Sequence, residues 1–143
     1  GAYDAAIFNP PYMRVGDGYR SDDAGRDASR RELHGDIFEL CSAVSRLLRT
    51  GGVFYSVYRP DRLADLICAL RDASLEPKRM TFVCDTAGHP PCLVLVESRK
   101  GSGVAMYLTP IFIMREGGRP TPDFMYLLEN GEFPAKYISR EKS

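Results

Sequence analysis

The sequence predicts an α/β fold, a sheet with crossover helices in the order strand, helix, strand, helix, strand, strand, followed by a small extension. Three observations carry this expectation. Ile37, Leu40, Cys41, Val44, Leu47 and Leu48 recur at three- and four-residue spacing, the apolar stripe of a helix. Residues 53–58 (Val-Phe-Tyr-Ser-Val-Tyr) are β-branched and aromatic, as a near-central strand requires. The last two strands, 79–84 and 92–97, are separated by only about seven residues, too few for a crossover, so they are expected to be antiparallel.

Each element has its own local reason. Ala5-Ala6-Ile7-Phe8 is a short apolar run that stops at Asn9-Pro10-Pro11-Tyr12, a buried strand ending in a rigid loop. Residues 13–31 hold five arginines and four aspartates among glycines and serines, and read as one long loop. After the first helix, Thr50-Gly51-Gly52 is expected to stop it with a left-handed cap. Pro60 suits the first turn of a helix that turns Leu63, Leu66, Ile67 and Leu70 inward. His89, between Gly88 and Pro90-Pro91, reads as a turn residue, and Tyr55 and Tyr58 as sheet residues. Beyond Arg99, residues 104–108 and 111–114 are expected to form a hairpin around Thr109-Pro110, with a short helix over 123–128 and a frayed tail from Lys136. The reading therefore divides the chain into a catalytic-domain part, 1–98, and an extension, 99–143.

Composition narrows the function classes. At 143 residues, with 44% hydrophobic and 27% charged residues, the chain matches an ordinary globular domain rather than a disordered or collagenous one. Lys plus Arg equal Asp plus Glu at 19 each, so no basic excess announces a phosphate-binding surface. Cys41, Cys68, Cys84 and Cys92 are scattered, without a C-x-x-C, and only His34 and His89 accompany them. A zinc site is not expected, and the cysteines suit buried thiols in a reducing cytoplasm. No apolar run approaches the roughly 20 residues of a membrane span, so no membrane partner is expected.

The chemistry concentrates in Asn9-Pro10-Pro11-Tyr12. Neither proline has an N–H, and each drives its predecessor into an extended conformation. The Asn9 side-chain carbonyl and the Pro10 backbone carbonyl are left as aimed acceptors, a pair that suits the two protons of a planar amine. Accepting both localises the nitrogen lone pair and points it outward. Tyr12 offers a ring for a base to stack on, a contact worth about 1–3 kcal/mol. In open α/β sheets, sites lie at the carboxyl ends of strands, where this tetrapeptide falls.

Asn-Pro-Pro-Tyr after a strand resembles motif IV of the S-adenosylmethionine-dependent amino-methyltransferases. Residues 3–12 are similar to the strand-plus-motif of the tRNA adenine-N6 methyltransferases that modify the base 3′ of a valine tRNA anticodon. Ser29-Arg30-Arg31-Glu32 occupies the place of an A-R-H-E-like segment, with Arg30 and Glu32 matching and Ser29 and Arg31 departing. Residues 45–52, 58–63 and 75–80 also resemble this family, so the likeness runs from residue 3 to about 128. It implies a Rossmann-like class I methyltransferase sheet, of which this chain is the carboxyl-terminal half. It further implies S-adenosylmethionine as cofactor, tRNA as partner and a cytoplasmic enzyme. Asn9, Pro10, Pro11 and Tyr12 would be catalytic. Arg14, Arg30 and Glu32 would bind substrate, and Asn9 would also touch the cofactor.

The family's glycine-rich cofactor loop follows an earlier strand. Here Gly16-Asp17-Gly18 and Gly101-Ser102-Gly103 read as turns, so the chain alone is not expected to bind the cofactor tightly or to turn over. The Ala5–Phe8 strand is expected to be an unpaired edge and a homodimer contact. Two alternatives stay open: a protein glutamine N5-methyltransferase, and a non-enzymatic module that binds RNA or protein. The arginines of residues 14–31 fit a solvated loop as well as a phosphate contact, and Arg30 with Glu32 fits a helix-start ion pair.

Overall fold

A computed structural model describes residues 1–10 and 37–139. Strand β1, Tyr3–Phe8, pairs in parallel with β2, Leu48–Tyr58. Helix α1, described over 37–47, runs straight into β2. A 3-10 turn, Pro60–Arg62, with proline in its first turn, leads into α2, Leu63–Asp72. Then come β3, Leu75–Thr86, and β4, Leu93–Lys100. Beyond them lie β5, Tyr107–Leu108, β6, Phe112–Glu116, β7, Arg119–Pro120, and α3, Pro122–Asn130.

The strands form one mixed sheet in the order β1-β2-β4-β3-β6-β7, with β5 also on β3. Strand β4 is antiparallel to both β2 and β3 and lies between them. The predicted order of elements and the antiparallel final pair are both present. Because β2 and β3 flank the same antiparallel strand, they are parallel to each other. Strand β6 is parallel to β3 in turn. The carboxyl ends of β1, β2, β3 and β6 therefore share one side of the sheet.

Alternation along the strands distributes the core between two faces. On one face, Ile37, Cys41 and Val44 of α1 and Leu66, Ala69 and Leu70 of α2 join a buried cluster. Phe54, Tyr58, Leu75, Met80, Val94 and Val96 supply its sheet side. On the other face, Val83, Phe112 and Tyr137 form a second cluster, with Leu93, Leu95, Phe124, Leu127 and Phe133 around it. Phe112 meets Phe133 and Tyr137 edge-on, at centroid distances of 5.1 Å each. Such pairs add stabilisation beyond their buried area.

Three local expectations are corrected. Gly51 does take a left-handed conformation, at φ 86°, but within β2 rather than as a helix cap. There the register against β1 jumps from Tyr3↔Leu48 to Ala5↔Val53, and the glycine absorbs the irregularity. Residues 104–108 and 111–114 do not pair with each other around Thr109-Pro110. Strands β5 and β6 both add in parallel to β3, whose open edge offers both segments ladder partners. The Thr109 N–H donates to the Met80 carbonyl, and its hydroxyl donates to Thr81 Oγ1 at 2.8 Å. The hairpin of this region is instead β6–β7, turning at Gly117-Gly118, both at positive φ. Finally, the tail does not fray at Lys136. A 3-10 turn over Ala135–Tyr137 buries Tyr137.

Candidate functional site

Strand β1 ends at Phe8, which lies in register with Ser56 of β2. Asn9 follows, exposed, and Pro10 is fully buried. The chain leaves the sheet at this point because Pro10 has no ladder donor. Its buried ring anchors a segment whose preceding side chain faces solvent. The Asn9 carboxamide makes no hydrogen bond to another described residue, so among these residues nothing competes with a ligand for its carbonyl. Alongside, β2 is held from within the sheet: the buried Ser56 hydroxyl donates to the Val96 carbonyl at 3.3 Å, and Tyr58 is buried in the core.

The next residues after β2 stand on the same rim. The Arg59 guanidinium donates twice to Asp61, Nε to Oδ1 at 3.0 Å and Nη2 to Oδ2 at 2.7 Å. Arg62 pairs with Asp65 at 2.9 Å. The doubly bonded Arg59 is a rim feature that sequence reasoning did not assign. Its signal was the Arg-Pro-Asp tripeptide at a strand end. Further along the rim, the turn after β3 holds His89, whose Nδ1 lies 3.0 Å from Thr86 Oγ1. Asp85 there pairs with Arg115 of β6.

Of the residues that sequence reasoning selected, the structure places Asn9 and Pro10 together at the carboxyl end of a parallel strand. Pro11, Tyr12, Arg14, Arg30 and Glu32 lie outside the described residues. Cys84 and Cys92 are free thiols in the β3–β4 turn region. Cys84 donates to the His89 carbonyl and Cys92 to the Val83 carbonyl, each at 3.4 Å. Burial pushes the Cys92 thiol up, and the neighbouring Cys84 and Asp85 push the same way. Among the described residues, no group of three or more His, Cys, Asp or Glu side chains is arranged to hold a metal. No described helix is long and apolar enough to cross a membrane.

The resemblance implies a glycine-rich cofactor loop, and the described glycines do not supply one. A methionine-binding glycine loop has to follow a strand and open a helix. Gly51 and Gly52 lie inside β2, Gly101 follows β4 and leads to β5, and Gly117-Gly118 turns a hairpin. None opens a helix.

Among solved structures, the chain is similar to a protein of Agrobacterium tumefaciens described as a predicted O-methyltransferase. The TM-score is 0.64 at 24% identity, covering 90% of this chain and 51% of that one. A putative DNA modification methylase of Thermus thermophilus (TM-score 0.49, 15% identity) is covered over 52% of its length by 92% of this chain. For M1.HpyAVI in its SAM complex (TM-score 0.42, 12% identity), the shares are 55% and 77%. These two weaker likenesses add nothing to the fold assignment, which rests on the first. No family model and no curated protein matches the sequence. The chain spans about half the length of the structures it matches. Its fold is a partial Rossmann-like methyltransferase sheet.

Proposed function

We propose that this chain is the target-amine half of an S-adenosylmethionine-dependent methyltransferase that acts on the N6 amine of adenine in tRNA. The observation behind the reading is Asn9-Pro10 at the carboxyl end of β1, with an exposed carboxamide, on a sheet of methyltransferase topology. The Asn9 side-chain carbonyl and the Pro10 backbone carbonyl accept the two amine protons and aim the lone pair. Tyr12 stacks on the base, which has left its helical stack to reach the pocket. The cofactor, when bound, supplies an electrophilic methyl group. This chain's residues hold the acceptor, so their contribution is orientation and preorganised dipoles rather than a strong base. Arg14, Arg30 and Glu32 would position the RNA around that base.

The test is Asn9→Ala in the whole protein to which these residues belong. Loss of one preorganised polar contact to the reacting group typically costs about 10²–10³-fold in kcat. We expect a fall of that size in methyl transfer to tRNA, with little change in tRNA affinity. A variant that keeps wild-type kcat would remove Asn9 from the site.

A further inference from the structure

Arg59 directly follows β2 and keeps an extended conformation, φ −77° and ψ 132°. The face alternation of β2 therefore continues through it. Phe54 and Tyr58 belong to the α1–α2 cluster, whereas Tyr55 lies on the opposite face, 41% exposed. By that period Arg59 falls on the Tyr55 face. Strand β1 alternates in the same way. Ala6 and Phe8 pack on the cluster and Pro10 is buried, while Ile7 and Asn9 are exposed. Asn9 precedes a proline, which keeps it extended. One step beyond the Phe8↔Ser56 pair, it stands beside Val57. Arg59 is thus on the face of Asn9, one strand over and two residues farther along, about 8 Å away at the backbone. This placement comes from the β1–β2 ladder inside the chain and owes nothing to the other edge of β1.

Both ends of Arg59 are fixed. Its backbone carbonyl accepts from the Arg62 N–H at 3.0 Å, closing the 3-10 turn that Pro60 starts. Its guanidinium gives Nε and Nη2 to Asp61, at 3.0 and 2.7 Å. A guanidinium has two bidentate edges, and Asp61 occupies the one formed by Nε and Nη2. The other edge, formed by Nη1 and Nη2, faces no carboxylate among the described residues, and the side chain is 34% exposed. That free fork matches two oxygens of a phosphodiester. We propose that Arg59 is a substrate-binding residue that grips the phosphodiester beside the target nucleotide. The assignment rests on the reading of Asn9-Pro10 as the pair that holds the amine. A base leaves its stack by rotation about its own backbone, so the neighbouring phosphate has to be held while the sugar turns. Arg59 stands next to the amine-holding pair with its rotamer already set by Asp61. Little side-chain freedom is left to lose when the phosphate arrives.

Arg59→Gln and Arg59→Lys in the whole protein test this, through the salt dependence of tRNA binding and steady-state methyl transfer. Both should keep the wild-type far-UV dichroism, because the turn is held through the Arg59 backbone. Arg59→Gln should weaken tRNA binding about tenfold, as loss of a charged hydrogen bond does. It should also lower the slope of log K against log salt by about one. Arg59→Lys should restore the slope, since the charge remains, but not the full affinity, since the fork is gone. The KM for S-adenosylmethionine should not move. Unchanged tRNA affinity and slope in Arg59→Gln overturn the assignment. A raised cofactor KM with an unchanged slope overturns it too, and gives the guanidinium to the cofactor's carboxylate. Asn9→Ala keeps the two readings apart. If it loses kcat while Arg59→Gln binds tRNA normally, the amine site stands and the Arg59 assignment falls. If Asn9→Ala keeps its kcat, the amine site falls and Arg59 loses its target nucleotide with it.

Discussion

Tyr137 shows how single groups set the stability of the extension. Its hydroxyl donates to Asp123 Oδ2 at 2.7 Å, and Lys136 Nζ reaches the same oxygen at 3.0 Å. Burial alone would raise the Asp123 carboxyl, but the hydrogen bonds from Tyr137 and Lys136 outweigh it and lower the value. Burial, with the hydrogen bond to Asp123 and its charge, raises the Tyr137 phenol. A lowered carboxyl contributes stability above its ordinary value of about 3.9, lost as pH falls through the folded value. A raised phenol contributes below its ordinary value of about 10, and that contribution declines as pH climbs beyond it. Urea melts monitored by near-UV dichroism should therefore be flat through neutral pH and weaken in both acid and alkali. Asp123→Asn should flatten the acid limb, because the amide still accepts from Tyr137 but no longer titrates. An unchanged acid limb would show that Asp123 is not the group responsible. The Cys41 thiol, pushed up to about 12 by burial in the core, is a packing group and no nucleophile.

Among the elements, the junction of α1 with β2 has no loop to absorb the helix's unpaired carbonyls. Lys100, at the end of β4, fills that role. Its ammonium donates to the Ser45 carbonyl at 2.6 Å and the Leu48 carbonyl at 2.8 Å. A cation at a helix carboxyl terminus also meets the favourable end of the helix dipole. Lys100→Met keeps the apolar stem and removes the donor. It should destabilise the fold by about 1–2 kcal/mol in urea titration, and a loss under a few tenths would mean that water replaces the lysine without cost.

The elements were legible in the sequence where apolar period and turn chemistry agreed, as in the Ile37–Leu48 stripe and the Val53–Tyr58 strand. They were misread where pairing partners lie far along the chain. Nothing local in residues 104–114 says that both halves prefer β3 to each other. The strand expected over 79–84 begins earlier, at Leu75, because a register shift between Pro77 and Arg79 accommodates the proline. Tyr137 shows no local sign of the ring cluster that buries it. The strand end at Asn9-Pro10 was legible, since it depends on a short apolar segment stopping at a proline. The Arg59–Asp61 pair showed only as an Arg-Pro-Asp tripeptide at a strand end, because the pairing itself depends on how the chain turns after β2.

For the whole molecule, sheet order matters most. Asn9 and Pro10 sit at one end of a partial Rossmann-like methyltransferase sheet, and the positive-φ glycines of the described residues serve turns, a helix cap and a bulge. Calorimetric titration of the 143-residue chain with S-adenosylmethionine should accordingly yield no micromolar constant, and a clear micromolar isotherm would mean that the chain holds a cofactor site of its own. The central claim concerns where the methyl group goes. The whole protein is incubated with methyl-labelled S-adenosylmethionine, bulk tRNA and release factor, and the label is traced by nucleoside and amino-acid digestion. The account predicts label in N6-methyladenosine from tRNA. Label in a glutamine side chain, or none in either acceptor, would contradict it.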